Sequence, residues 1–112
     1  MSKEKWIMLN YDLGLKGDYE SLYCFLDNHK ALDCGNCNAA LKITISEDSF
    51  DAICEEVKNI IVGSVSLNQT DRIYLTLTDE NGKMRGKFIC GGRKRATWEG
   101  FGDVAEQSSD PF

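Results

Sequence analysis

Residues 39 to 63, "AALKITISEDSFDAICEEVKNIIVG", change hydrophobic period in mid-course. Over 39–45, Leu41, Ile43 and Ile45 alternate with Ala40, Lys42 and Thr44, the period of two that marks a strand buried on one side. From Phe50 onward the apolar positions widen to Phe50, Ile53, Val57, Ile60 and Ile61, one stripe of a helix with 3.6 residues per turn. Ser46, Asp48 and Ser49 offer side-chain oxygens to the first unpaired helical amides, and Gly63 suits the left-handed residue past the helix end. A strand feeding directly into an amphipathic helix is half of a layered arrangement, and the flanking sequence supplies the other half.

Upstream, "WIMLNY" (6–11) is a short apolar run closed by the glycine-bearing "DLGLKG", and reads as a first, central strand. Asp18 is placed to cap a helix over "YESLYCFLDNH" (19–29), whose Tyr19, Leu22, Tyr23 and Leu26 share one face. Downstream, "RIYLTLT" (72–78) alternates Ile73, Leu75 and Leu77 with Tyr74, Thr76 and Thr78, and "DENG" separates it from "KMRGKFI", predicting a hairpin that turns near Asn81 and Gly82. Along its second arm Lys83, Arg85 and Lys87 fall on one face and Met84, Gly86 and Phe88 on the other, unless a bulge near Gly86 breaks the parity. "CGGRKR" reads as a loop, "ATWEGF" (96–101) as a short last strand, and 103–112 as a mobile tail.

The order strand, helix, strand, helix, strand, strand, without internal repeat or linker, predicts helices packed on one face of a mixed sheet. The expected fold class is α+β, a ferredoxin-like two-layer sandwich of βαββαβ type with a C-terminal hairpin extension, in a single domain over 1–102. The βαββαβ pattern is complete if "CGNCN" and "AALKITI" belong to one hairpin. A chain of 112 residues with 42% hydrophobic and 28% charged residues is an ordinary soluble domain. It buries about two-thirds of its unfolded surface, so neither metal nor disulfide is required for stability.

The five cysteines are odd in number, and Lys3 and Lys5 lead into an apolar run far too short for a secretory signal, which places reduced thiols in a cytoplasmic setting. Nothing approaches the roughly 20 apolar residues of a membrane span, so no membrane partner is expected. The formal charge of −5 argues against indiscriminate nucleic-acid binding, but it is unevenly spread. Residues 83–95 carry Lys83, Arg85, Lys87, Arg93, Lys94 and Arg95 and no acid, leaving −11 for the rest of the chain. Such a segment can track a phosphate backbone, with Tyr74 or Trp98 available for stacking; equally, charged side chains protect an edge strand from aggregation.

Asp12, at the end of the first strand, either caps the Gly14 to Gly17 turn or holds a magnesium ion together with its counterpart in a second subunit. A Mg²⁺ ion held in that way could activate water at a phosphodiester. Cys34 and Cys37 in "CGNC" have the spacing of two zinc ligands, but a structural site needs four, and only Cys24 and His29 lie near in sequence. The plainer reading is a Gly-Asn turn with incidental thiols, with His29 at a helix end. "CGGRKR" lacks the pattern of a nucleotide-cradling loop and no helix follows it. Met8 and Met84 read as core fillers and Trp6 and Trp98 as packing residues at strand starts.

Three stretches carry a resemblance. "YDLGLKGDYESLYCFLD", "SEDSFDAICEEVKNII" followed by "DRIYLTLT", and "TWEGF" together resemble the SinR family, which is grouped with small CRISPR-associated proteins that partner the spacer integrase and with VapD-type toxins. The resemblance spans most of residues 6–101. It implies a ferredoxin-like fold, a two-fold homodimer, a link to defence or mobile elements, and a divalent ion at Asp12 paired across the dimer for RNA or DNA cleavage. Three functions follow as expectations: a homodimeric module binding RNA, DNA or another anion through the basic hairpin, a Mg²⁺-dependent endoribonuclease using Asp12, or a protein-interaction subunit.

Overall fold

The computed structural model describes residues 3–102 and 111–112. In chain order they form β1 (Lys3–Asp12), α1 (Tyr19–Asn28), β2 (Leu32–Asp33), β3 (Asn38–Ile45), α2 (Phe50–Ser64), β4 (Arg72–Thr78) and β5 (Met84–Cys90). The strands make one sheet in the order β2-β3-β1-β4-β5. Every pairing is antiparallel, so the sheet is not the mixed one expected. Two crossovers suggest parallel neighbours, but here each returning strand is separated from its predecessor by an intervening one. "CGNC" is the turn of the small hairpin in which Leu32 faces Ala40 and Asp33 faces Ala39.

Alternation decides the two faces. Ile7 and Leu9 of β1, Leu41, Ile43 and Ile45 of β3, and Ile73, Leu75 and Leu77 of β4 are buried, and with Leu22, Phe25 and Leu26 of α1 and Phe50, Ile53, Val57 and Ile61 of α2 they form one core. Burial of this apolar area is the main source of stability, at about 1.5–3 kcal/mol per large side chain. The even-numbered residues of β1, β3 and β4 point the other way, to a face that no helix covers. Trp6, Met8 and Met84 lie on that face and are exposed, which corrects their reading as core or packing residues. Hydropathy registers a large apolar side chain but not which side of a sheet its neighbours leave open.

The helices begin as expected and end differently. Asp18 accepts from the Ser21 amide at 3.2 Å, capping α1, and from the Ser66 amide at 3.0 Å, tying that cap to the segment after α2. These amides, Ser66 foremost, hold the Asp18 carboxyl below its usual range. Phe25 takes the inward place expected of Tyr23, which is exposed and stacks with Tyr19 and Tyr11. Ser49 caps α2 through the Ala52 amide. Gly63 lies inside α2, without a left-handed conformation, because the chain leaves the helix through an extended and buried Val65. Ile60 is partly exposed, and Cys54 completes the inward stripe.

The β4–β5 hairpin turns where the sequence places it, and Asp79 organises it. Its carboxylate accepts from the amides of Asn81 and Lys83, both at 2.9 Å, and lies 3.8 Å from Arg85 Nη1. The Lys83 amide is the main cause of a carboxyl held below its usual range. The bulge falls at Ile89, since Phe88 pairs with Tyr74 while Cys90 pairs with Ile73. "ATWEGF" is no strand: residues 97–100 form a turn, with the Phe101 amide donating to the Trp98 carbonyl. Of the expected tail, 103–110 lie outside the described residues, while Pro111 and Phe112 lie against β5 and the loop that follows it.

Candidate functional site

The basic segment does not form one surface. Arg85 and Lys87 stand opposite Leu77 and Leu75, on the helix-covered side, and the Arg85 guanidinium sits 4.1 Å from the Phe50 ring centroid. Lys83 precedes β5 in the turn. Beyond the bulge, Arg93 stands over the Phe88 ring at 5.8 Å, on the open side, and Lys94 and Arg95 are exposed on the loop. Arg95 pairs with Glu99 at 2.7 Å, Arg85 lies 3.8 Å from Asp79, and Arg93 Nη2 donates to the main-chain oxygen of Phe112 at 2.9 Å, whereas Lys83, Lys87 and Lys94 have no acidic partner among the described residues.

Arg93 borders a cleft of about 550 Å³ at one end of the open face, lined by parts of β1, β4 and β5 and by the Asn36–Cys37 turn. Asp12 and Arg72 face each other there across β1 and β4, and Arg72 Nη2 donates to Asp12 Oδ2 at 2.6 Å. Arg72 Nε is buried and has no hydrogen-bond partner among the described residues. Tyr74 and Phe88 form an edge-to-face wall with ring centroids 4.8 Å apart. The wall depends on Gly86, because a Cβ there would stand 2.4 to 2.6 Å from three atoms of the Tyr74 side chain. Asn10 Nδ2 donates to Asn38 Oδ1 at 2.8 Å on the same face. A second hollow of about 450 Å³ shares Arg72, Phe88 and Arg93 and continues along Lys94 to Trp98, which is 74% exposed.

Asp12 therefore does not cap the turn after β1. Asp71 takes that role: fully buried, it accepts from the Gly14 amide with one oxygen and the Asn68 amide with the other, each at 2.7 Å. Nor does the cleft of a single subunit suit a divalent ion. Asp12 is its one acid among the lining residues, and a dication on that carboxylate would sit beside the Arg72 guanidinium.

All five cysteines are free. Cys34 and Cys37 are exposed in the β2–β3 turn, where Asn36 and Cys37 have φ of 47° and 63°. The other expected zinc ligands do not converge on them: His29 Nδ1 lies 2.9 Å from the Phe25 carbonyl, and Cys24 is the acceptor of an Asn28 contact on α1. Among the described residues no three His, Cys, Asp or Glu side chains are placed to hold a metal ion. Burial pushes the thiols of Cys54 and Cys90 up from their ordinary value. No helix among the described residues is long and apolar enough to cross a membrane.

No family model, curated protein or solved structure matches this chain.

Proposed function

We propose that the chain is a ferredoxin-like nucleic-acid-binding module that works as a homodimer and carries no chemistry of its own. The strand order β2-β3-β1-β4 with α1 and α2 on one side supports the ferredoxin-like reading, with β5 added at the edge. Kinship with the SinR group is part of the same proposal and rests on residues 11–27, 46–61, 71–78 and 97–101. Free thiols throughout fit a reducing compartment such as the cytoplasm.

One observation carries the binding function: Arg93 borders a cleft walled by Tyr74 and Phe88, and Lys94, exposed and without an acidic partner among the described residues, lies on the loop that continues from it. Cationic side chains beside aromatic planes, here the half-buried Tyr74 and Phe88, are the elements of sequence-tolerant binding to single strands. Arg85 and Lys87, turned to the other side, contribute little. Replacing Arg93, Lys94 and Arg95 together by Ala is expected to weaken binding of a short single-stranded RNA or DNA about tenfold at low salt. The slope of log affinity against log salt should become shallower by roughly 0.7 for each phosphate no longer neutralised. A wild-type protein with no salt-sensitive affinity for either nucleic acid overturns the reading.

The homodimer of this proposal would form at the other end of the open face. Trp6 and Met8 on β1 and Met84 on β5 leave an exposed apolar patch, roughly 20 Å along β1 from Asp12. A second copy seated there would cover it and leave the cleft open. Trp6→Asp is expected to convert a dimer into a monomer in sedimentation at micromolar concentration; a wild type that is already monomeric removes this part of the proposal.

A further inference from the structure

We propose that the cleft holds one nucleotide, with its base against Tyr74 and Phe88 and its phosphate at Arg72 and Arg93. This deepens the nucleic-acid reading and rests on it: charge along the loop holds the strand, and one inserted nucleotide fixes its position.

The observations converge from separate parts of the chain. A volume of about 550 Å³ is within the range of small-ligand sites, roughly 300–1,000 Å³. The wall is aromatic and preformed, since the Tyr74 ring rests on Gly86, where a side chain would displace it. An aromatic plane is a sequence-tolerant surface for any base. The Arg72 guanidinium is held in place by Asp12 through Nη2, and its Nε is buried with no hydrogen-bond partner among the described residues. Arg93 adds a second guanidinium to the lining.

The chain itself presents a similar group to this site. Phe112 lies at the cleft, and its main-chain oxygen accepts from Arg93 Nη2 at 2.9 Å. A planar ring with an oxygen acceptor on a guanidinium is also what a nucleotide presents. Inorganic phosphate alone would meet only the two arginines and make no use of the aromatic wall. The nucleotide can come from two sources, a free nucleoside monophosphate or a residue within a strand, and the experiment separates them.

The test uses the full chain and three competitors against a fluorescent single-stranded octanucleotide: adenosine monophosphate, an unlabelled tetranucleotide and inorganic phosphate. Competition by the mononucleotide well below the phosphate concentration needed assigns the cleft to a free nucleotide. Competition by the tetranucleotide alone assigns it to a residue of a strand. Equal competition by phosphate and both nucleotides overturns the proposal. Tyr74→Leu is expected to lower octanucleotide affinity about tenfold with an unchanged salt slope. The Arg93, Lys94 and Arg95 replacement changes the slope.

If Tyr74→Leu binds like wild type while the cationic replacement loses affinity, the nucleotide site falls and the binding module stands. If wild type binds nothing, both fall. Photo-crosslinking of wild type to an octanucleotide containing 5-bromouridine needs no variant: adducts on Tyr74 or Phe88 are expected, and adducts confined to residues 91–98 overturn the cleft assignment.

Discussion

Asp71→Ala is expected to lower the unfolding free energy by about 3 kcal/mol, measured by urea denaturation. Asp71 is fully buried, and its two oxygens accept from the amides of Gly14 and Asn68, both at 2.7 Å. A buried donor left without an acceptor costs about 1–3 kcal/mol, and Ala leaves two such donors beside a small void. Water reaching the partly buried loop offsets some of this, which is why the expected cost lies in the lower half of the summed range. For a domain of this size the melting temperature should fall by roughly 10–20 °C. Asp71→Asn separates the shape of the side chain from its acceptors: one oxygen still accepts, but an NH₂ meets the other amide, and a loss of about 2 kcal/mol is expected. Stability within about 0.5 kcal/mol of wild type for both variants would contradict the role given to this carboxylate.

The consequence extends to the cleft. Gly14 follows Asp12 by two residues, and Arg72 is the immediate neighbour of Asp71. The carboxylate thus fixes the backbone on both sides of the Asp12 to Arg72 pair. The Asp71 carbonyl also accepts from Cys90 Sγ at 3.5 Å, which draws the end of β5 to the same point. Loss of Asp71 should reduce nucleic-acid affinity in parallel with stability, without altering any group that would contact the ligand.

This carboxylate shows why the site was harder to read than the fold. The two-residue alternation of β3 and β4 and the stripe of α2 are local patterns, and each keeps its meaning in the folded chain. The cleft is assembled from residues 10–12, 36–37, 72–74, 88–93 and 112, and its identity depends on strand order and on which face the helices leave bare. Asp71 carried one signal, an acid immediately before a strand, which is common in turns and points to no particular partner.

The basic segment was visible as composition but not as geometry. Parity placed Arg85 and Lys87 together, and the pairing agrees; beyond the bulge at Ile89 and the end of β5 at Cys90, Arg93 lies over Phe88 on the opposite side. A bulge inserts one residue on one strand and needs no distinctive side chain, so a count along the sequence passes through it unchanged. The aromatic positions show the same limit. Trp98 stays exposed in a turn, because residues 96–101 find no strand to pair with among the described residues.

Gly91→Ala is expected to cost about 3 kcal/mol, against less than about 0.5 kcal/mol for Gly92→Ala. Gly91 has a φ of +73°, where a side chain is penalised by about 1 kcal/mol or more. A Cβ at this position would also stand 2.4 Å from the Asp71 carbonyl oxygen and 2.8 Å from Arg72 Cγ. The first neighbour is backbone and cannot rotate away, so the strand end must retreat, at a cost of the order of 1–3 kcal/mol for an overpacked contact. Gly92 meets nothing within 4 Å and has an ordinary φ, which makes it the matched control one residue along. The comparison also tests function, because Gly91 joins β5 to the loop bearing Arg93 and Lys94. Displacing that junction moves both cations relative to the Tyr74 and Phe88 wall, so Gly91→Ala protein that remains folded should bind single strands more weakly than Gly92→Ala protein. Equal stability and equal affinity for the two variants would mean that β5 does not rest on Asp71, and that nothing holds the loop cations at the edge of the cleft.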